Sequence, residues 1–270
     1  MTRLASFATC TALAGLLLRA AGCLAQPMEP LVRLDHLPVA VRDLNQAVAD
    51  FQAHGFAIKP GRAHANALRN AHIKFANGAG LELIAADQAR DGLSAHYLEF
   101  LLAGEGPAFL SLHADNEERV AQALKAAAVG HGRNAGGLDL TDPKLDWVFF
   151  AGDNRSPTDI PQHFAHRNGA FATREVWVAL DDPAPLARLL TALGARERHE
   201  VLREPFASQA VVFELSEQGR IVVLPAKFQW VKGHPVIGVV LAAHGDLAQK
   251  AVRFAPHQSH GLWLELRPEP

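Results

Sequence analysis

LDHLPVAVRDLNQAVADF, residues 34–51, is the stretch that decides the fold. Leu37, Val39 and Val41 fall on one side of an extended run, with His36, Pro38 and Ala40 on the other, because successive strand side chains point to opposite faces. Asp43 stands where a helix N-cap belongs, and Gln46 follows at capping-box spacing. Leu44, Ala47, Val48 and Phe51 share one helical face, and Gly55 ends the helix. Three extended segments follow, FAIKPG, AHIKFANG and LELIAAD, separated by turn residues. The unit reads strand, helix, strand, strand, strand. Its anomaly is His36, a polar group on the face that the helix leaves uncovered.

The pattern recurs. AFLSLHADNEERVAQALKAAAVG reads as a strand and a helix starting near Asp115, with LDWVFFAGD as that unit's last strand. REVWVALDDPAPLARLLTALG repeats it with Asp182 before the helix and Gly194 after, and QAVVFELSE and RIVVLPA supply strands. PVIGVVLAAHGDLAQKAVRF predicts a strand and a short helix from Asp246, and GLWLELRP closes a truncated fourth unit. Asp43, Asp115, Asp182 and Asp246 recur roughly every 65 to 70 residues, a repeat long enough to be one supersecondary unit. The predicted class is α+β, with repeated βαβββ units forming paired half-barrels. One pair is expected over residues 30–153 and a second over 168–270. Each helix covers one face of a small sheet, so the other face must meet a sister sheet or line a cavity.

The chain has 270 residues, 49% hydrophobic and 20% charged, with net charge −2 and no long run of one sign. That excludes a basic surface for nucleic acid. Residues 1–25 begin with Arg3, carry an apolar run from Leu4 to Leu18 and end in small residues, the layout of a secretory signal peptide cleaved after Ala25. The run is short for a membrane span. A periplasmic or secreted location follows. Two other readings stay open: a lipoprotein signal acylated at Cys23, and a start at Met28 that leaves the protein cytoplasmic. Both cysteines, Cys10 and Cys23, lie in this leader, so thiol chemistry is excluded from a chain cleaved after Ala25. Walker, dinucleotide-binding, HExxH and GxSxG motifs are absent.

LDHLPVAVRDLNQAVADFQAHGF, Asn70 ahead of IKFANG, and GLELIAA together resemble the glyoxalase-like branch of the vicinal oxygen chelate superfamily. The later HRNGAFATREVWVALDDPAPLARLLTALG is similar to a segment of the same branch. The resemblance implies paired βαβββ units around a cleft that often holds one divalent metal. Its ligands come from first and last strands, here His36 and Glu82. Strand alternation agrees, since Leu81, Leu83 and Ala85 face the helix while Glu82 faces the other way with His36. A lone carboxylate within LELIA is costly to bury without a cation or a donor. The plainer alternative pairs Glu82 with Arg69 or Lys74 and leaves His36 as a strand-end residue. Imidazole and carboxylate suit zinc, iron, manganese or nickel.

A metal needs further ligands. Aligned on the first unit, the third sets Glu175 against His36 and Val222 against Glu82, and the fourth sets Glu265 against Glu82. Glu265 completes the site if unit one faces unit four, and Glu175 if it faces unit three. If it faces unit two, Asp146, Asp153 or a loop histidine is next. Members of this branch often carry a histidine after the strand matching WVFF; here the region reads AGDNRSP. Asn70, His163 and His166 are candidates to touch a small-molecule substrate. The expected function is a metal-assisted isomerase, lyase or dioxygenase acting on a small oxygen-bearing substrate, with the metal as Lewis acid and Glu82 as a ligand that also serves as a base. The alternative is a non-catalytic binder of small molecules, favoured by the incomplete ligand set and by Trp177 and Trp263.

Overall fold

The computed structural model describes residues 29–134, 137–152, 154–246 and 250–269. The leader expected over residues 1–25, and Asp153, lie outside them. No described helix is long and apolar enough to cross a membrane.

The opening stretch folds as its pattern dictates. Strands β1 (Val32–Leu34) and β2 (His36–Ala40) lead into helix α1 (Leu44–Ala53). Leu37, Val39, Val41, Ala47 and Phe51 are completely buried in one cluster. The Asp43 carboxylate accepts from the backbone N–H groups of Asn45 and Gln46, satisfying donors that a helix start leaves free. The capping box does not close, because the Gln46 amide turns forward to Asp50. Strands β3 (Lys59–Ala63), β4 (Leu68–Lys74) and β5 (Gly80–Ala86) complete the unit.

An unexpected helix, α2 (Gly92–Ala103), joins this unit to the next. The second unit comprises β6 (Gly106–Pro107), β7 (Leu110–Ala114), α3 (Glu117–Ala126), β8 (His131–Asn134), β9 (Gly137–Leu140) and β10 (Val148–Ala151). In the glycine-rich stretch 132–137, whose sequence reads as a loop, residues 132–134 and 137 belong instead to the paired strands β8 and β9. The third has β11 (Ala170–Leu180), α4 (Ala184–Ala192), β12 (Arg196–Val201), β13 (Gln209–Glu214) and β14 (Arg220–Pro225). The fourth has β15 (Val236–His244), β16 (Val252–Phe254) and β17 (Trp263–Glu269). The helix expected from Asp246 falls largely on 247–249, outside the described residues.

Strand pairing fixes which units face each other. Val32 pairs antiparallel with Ala114, Leu34 with Leu112 and Val39 with Pro107, one unbroken register that joins unit one to unit two. Units three and four join through the antiparallel β11–β15 pair within a seven-stranded sheet, ordered β12-β13-β14-β11-β15-β17-β16. The helix-covered faces of both modules share one core, which takes Phe51 from α1, Leu124 from α3 and Leu189 from α4. That leaves the two concave faces separate. The second is filled by Trp177, Phe206, Val222 and Leu224, with Trp263 packed on them. The first stays open.

Candidate functional site

The open concavity measures about 390 Å³ and is lined by strands β2, β4 and β5, helix α2 and unit two. One end is polar. His36 Nδ1 donates to Asp35 Oδ2 at 2.8 Å, and its Nε2 lies 3.3 Å from Glu82 Oε2. Asp35 is fully buried; Ser111 also donates to its Oδ2, at 3.0 Å, while its Oδ1 has no partner. Burial disfavours a charged imidazole at His36, but hydrogen bonds to Asp35 and Glu82 outweigh it and raise its pKa to about 9. The Glu82 carboxylate is likewise opposed by burial, and is held down at about 2 by His36 and Asn70. At neutral pH His36 and Glu82 therefore meet as imidazolium and carboxylate.

Asn70 orients the pair. Its Nδ2 donates to Glu82 Oε1 at 2.6 Å, and its Oδ1 accepts from the Arg62 backbone at 3.0 Å. Gly61 permits this: a Cβ there would lie 2.0 Å from Asn70 Oδ1 and 2.1 Å from its backbone oxygen. The basic neighbours are committed elsewhere, Arg69 to Asp87 and Lys74 to Asp159 and the Asn154 carbonyl. His72 pairs across β4–β5 with Glu82, and burial lowers its pKa. The rest of the wall is mostly apolar, with Pro38, Leu68 and Ile84 on the sheet, Leu93 and Tyr97 on α2, and Phe109 and Phe149 opposite; His64 and Asn66, from the turn between β3 and β4, add a second polar patch.

Two residues of this site escape a reading by strand period. Asp35 precedes His36 and alternation sends it the other way, yet its carboxylate folds back to Nδ1. Tyr97, the chain's one tyrosine, sits on α2. Burial, and then the Glu82 charge, raise its pKa well above the usual phenol range.

The remaining candidates are placed elsewhere. Unit one faces unit two, so neither Glu175 nor Glu265 reaches His36; both lie on the second module's sheet. Their carboxylates are saturated. Glu175 accepts from Arg220 at 3.0 Å, Arg267 at 2.8 Å and the Trp177 indole at 3.1 Å. Glu265 accepts from Arg253 at 2.6 Å and Arg267 at 3.0 Å. These are structural ion pairs, and the reading of both as metal ligands is corrected. His166 is also structural: the Ala57 N–H donates to its Nδ1, and its Nε2–H donates to the Lys74 carbonyl, both at 2.9 Å. No ring nitrogen is left for a substrate. His163 accepts from the Ile160 N–H at 3.3 Å and does not line the concavity.

The residues present fit part of a metal centre. Two donors each about 2.0–2.2 Å from one ion stand roughly 3 to 3.5 Å apart, and His36 and Glu82 match that. A carboxylate behind the imidazole, as Asp35 is, commonly orients a metal-binding histidine. A third donor is missing among the described residues. Among the described residues no three of His, Cys, Asp and Glu converge on a common point, and unit two presents Phe109 and Phe149 where ligands are needed. The described donors do not by themselves complete a catalytic metal shell.

Paired βαβββ half-barrels with a cleft on the concave face define the vicinal oxygen chelate superfamily. The family model for a glyoxalase-like domain matches residues 34–194, more than half the chain, and the chain belongs to that family. No curated protein matches it. A hypothetical protein from Staphylococcus aureus is similar in structure, with TM-score 0.62 and 12% identity over 88% of this chain and 100% of that one. A mutant of 4-hydroxymandelate synthase from Streptomyces coelicolor has TM-score 0.59 and 9% identity over 88% and 92%. A variant of homoprotocatechuate 2,3-dioxygenase from B. fuscum has TM-score 0.58 and 11% identity over 90% and 74%. At such identities the likeness is one of fold.

Proposed function

We propose that the first module's concavity binds a small, mainly apolar molecule, with His36, Glu82 and Asn70 meeting its polar end. One observation carries this reading: an open hollow of about 390 Å³ in which His36, Glu82 and Asn70 converge and aromatic and aliphatic side chains form most of the remaining wall, with His64 and Asn66 at its β3–β4 turn. Small-molecule sites combine these features, an apolar wall with few convergent polar groups. The second module's filled concavity offers no such space.

Filling the hollow tests it. Ligand-observed NMR with benzyl alcohol should show saturation transfer to wild-type protein and none to an Ile84→Trp variant that keeps its cooperative melting. Equal transfer in both would place binding elsewhere and overturn the reading.

The second reading is the metal-assisted enzyme expected from the sequence, of dioxygenase, lyase or isomerase type. It is favoured by the 3.3 Å between His36 and Glu82 and by the names of two structural neighbours, a synthase and a dioxygenase. Among the described residues it has no third protein donor. Protein stripped of metal, loaded with Zn²⁺, Fe²⁺, Mn²⁺ or Ni²⁺ and desalted should retain well under one equivalent. Retention of about one equivalent, lost in His36→Ala, would instead establish the metal-assisted reading.

A further inference from the structure

Tyr97, Phe109, Phe149 and the His36 imidazole run round the hollow, each ring nearly perpendicular to the next. The angles are 76° between Tyr97 and Phe109, 87° between Phe109 and Phe149 and 74° between Phe149 and His36. The centroids of these neighbours lie 5.5, 6.0 and 5.7 Å apart. Rings set this way are adjoining walls of a box. The lining contains the Glu82 carboxylate and no lysine or arginine. Behind it stands fully buried Asp35, with one oxygen unpartnered. Two acidic side chains, Glu82 in the lining and Asp35 behind it, are thus set against the His36 imidazole, with His64 the other histidine of the lining. The lysines of the first unit, Lys59 and Lys74, both bind Asp159 and do not line the hollow.

An anionic ligand would meet these acidic groups at a cost, and a neutral one would bring them no further counter-charge. Aromatic faces carry partial negative charge and attract cations, most strongly where water is excluded. We propose that the hollow takes an organic cation, an amine or quaternary ammonium, seated among Tyr97, Phe109 and Phe149 with Glu82 as its counter-charge. The proposal rests on reading the hollow as a small-molecule site and adds the sign of the ligand's charge.

Two probes of one shape separate charge from size: choline and 3,3-dimethyl-1-butanol, its neutral carbon isostere. Calorimetry and ligand-observed NMR on the full chain should show choline binding at least about tenfold tighter. Glu82→Gln, in protein shown by its melting to be folded at the temperature used, should abolish that preference by weakening choline more than the alcohol, and Phe149→Leu should likewise weaken choline more than the alcohol. Equal affinities for the two probes in wild-type protein, or tighter binding of the alcohol, would overturn the cation assignment and leave the small-molecule site standing. Binding of benzyl alcohol without choline would do the same. Failure of every probe to bind would remove both.

Discussion

Glu82→Gln should lose about 3 kcal/mol of stability near pH 6, and the loss should fade at both pH extremes. The estimate converts Glu82's shift, from 4.5 to about 2, at about 1.4 kcal/mol per pH unit. Its sign follows from linkage. Glu82's pKa is depressed on folding, so its contribution is present above pH 4.5 and lost as pH falls through about 2. His36's pKa is raised, so its contribution is full below 6.5 and lost as pH rises through about 9. Between 4.5 and 6.5 both partners are charged in folded and unfolded chains alike, and the pair stabilises most. Denaturant melts of wild type and variant across pH 3 to 10 check this. A difference that does not change with pH would mean that Glu82 acts through packing and not through charge.

Gly261→Ala should destabilise the protein by about 3 kcal/mol and act at the seam between modules. Gly261 has φ +80°, and a Cβ there would lie 1.8 Å from the Glu105 carbonyl oxygen and 2.8 Å from the Gly106 Cα. The left-handed backbone alone costs a side chain about 1 kcal/mol or more, and a clash with backbone has no flexible end to yield. The neighbouring residue shows what this contact aligns. His260 Nδ1 bonds Glu105 at 2.9 Å and Nε2 bonds Asp50 at 3.1 Å, tying the second module to the first. Glu105 follows α2, so pushing it away also disturbs the helix that carries Tyr97. Chemical denaturation should show the lower midpoint, with the largest amide shifts near Glu105 and His260. A variant as stable as wild type would mean that the seam yields enough to take a side chain at this position.

Local periodicity made much of this architecture legible. Leu37, Val39 and Val41 alternate and Leu44, Ala47 and Phe51 follow a helical stripe because each element buries one face only. The same logic put His36 and Glu82 on a common concave face. Helix α2 escaped because GLSAHYLEFLLA is apolar on every side: it buries Tyr97, Phe100 and Leu101 while leaving Leu93 and Leu102 exposed. With α2 went Tyr97. Unit pairing is a long-range property, and no local pattern shows that β2 meets the second unit's first strand. Glu265 looked like an echo of Glu82 because LWLELR copies LELIA. What separates them is arginine: Arg253 and Arg267 approach Glu265 from β16 and its own strand, while the cations near Glu82 are drawn off by Asp87 and Asp159.

A pH titration of the His36 ring by NMR, assigned by its loss in His36→Asn, asks whether imidazole and carboxylate meet as a charged pair in the hollow. The expected midpoint is about 9 in wild-type protein, moving toward 6.5 when Glu82 is replaced by Gln. A midpoint near 6.5 in both proteins would contradict the account, because it would mean that the two side chains do not hold each other's charge.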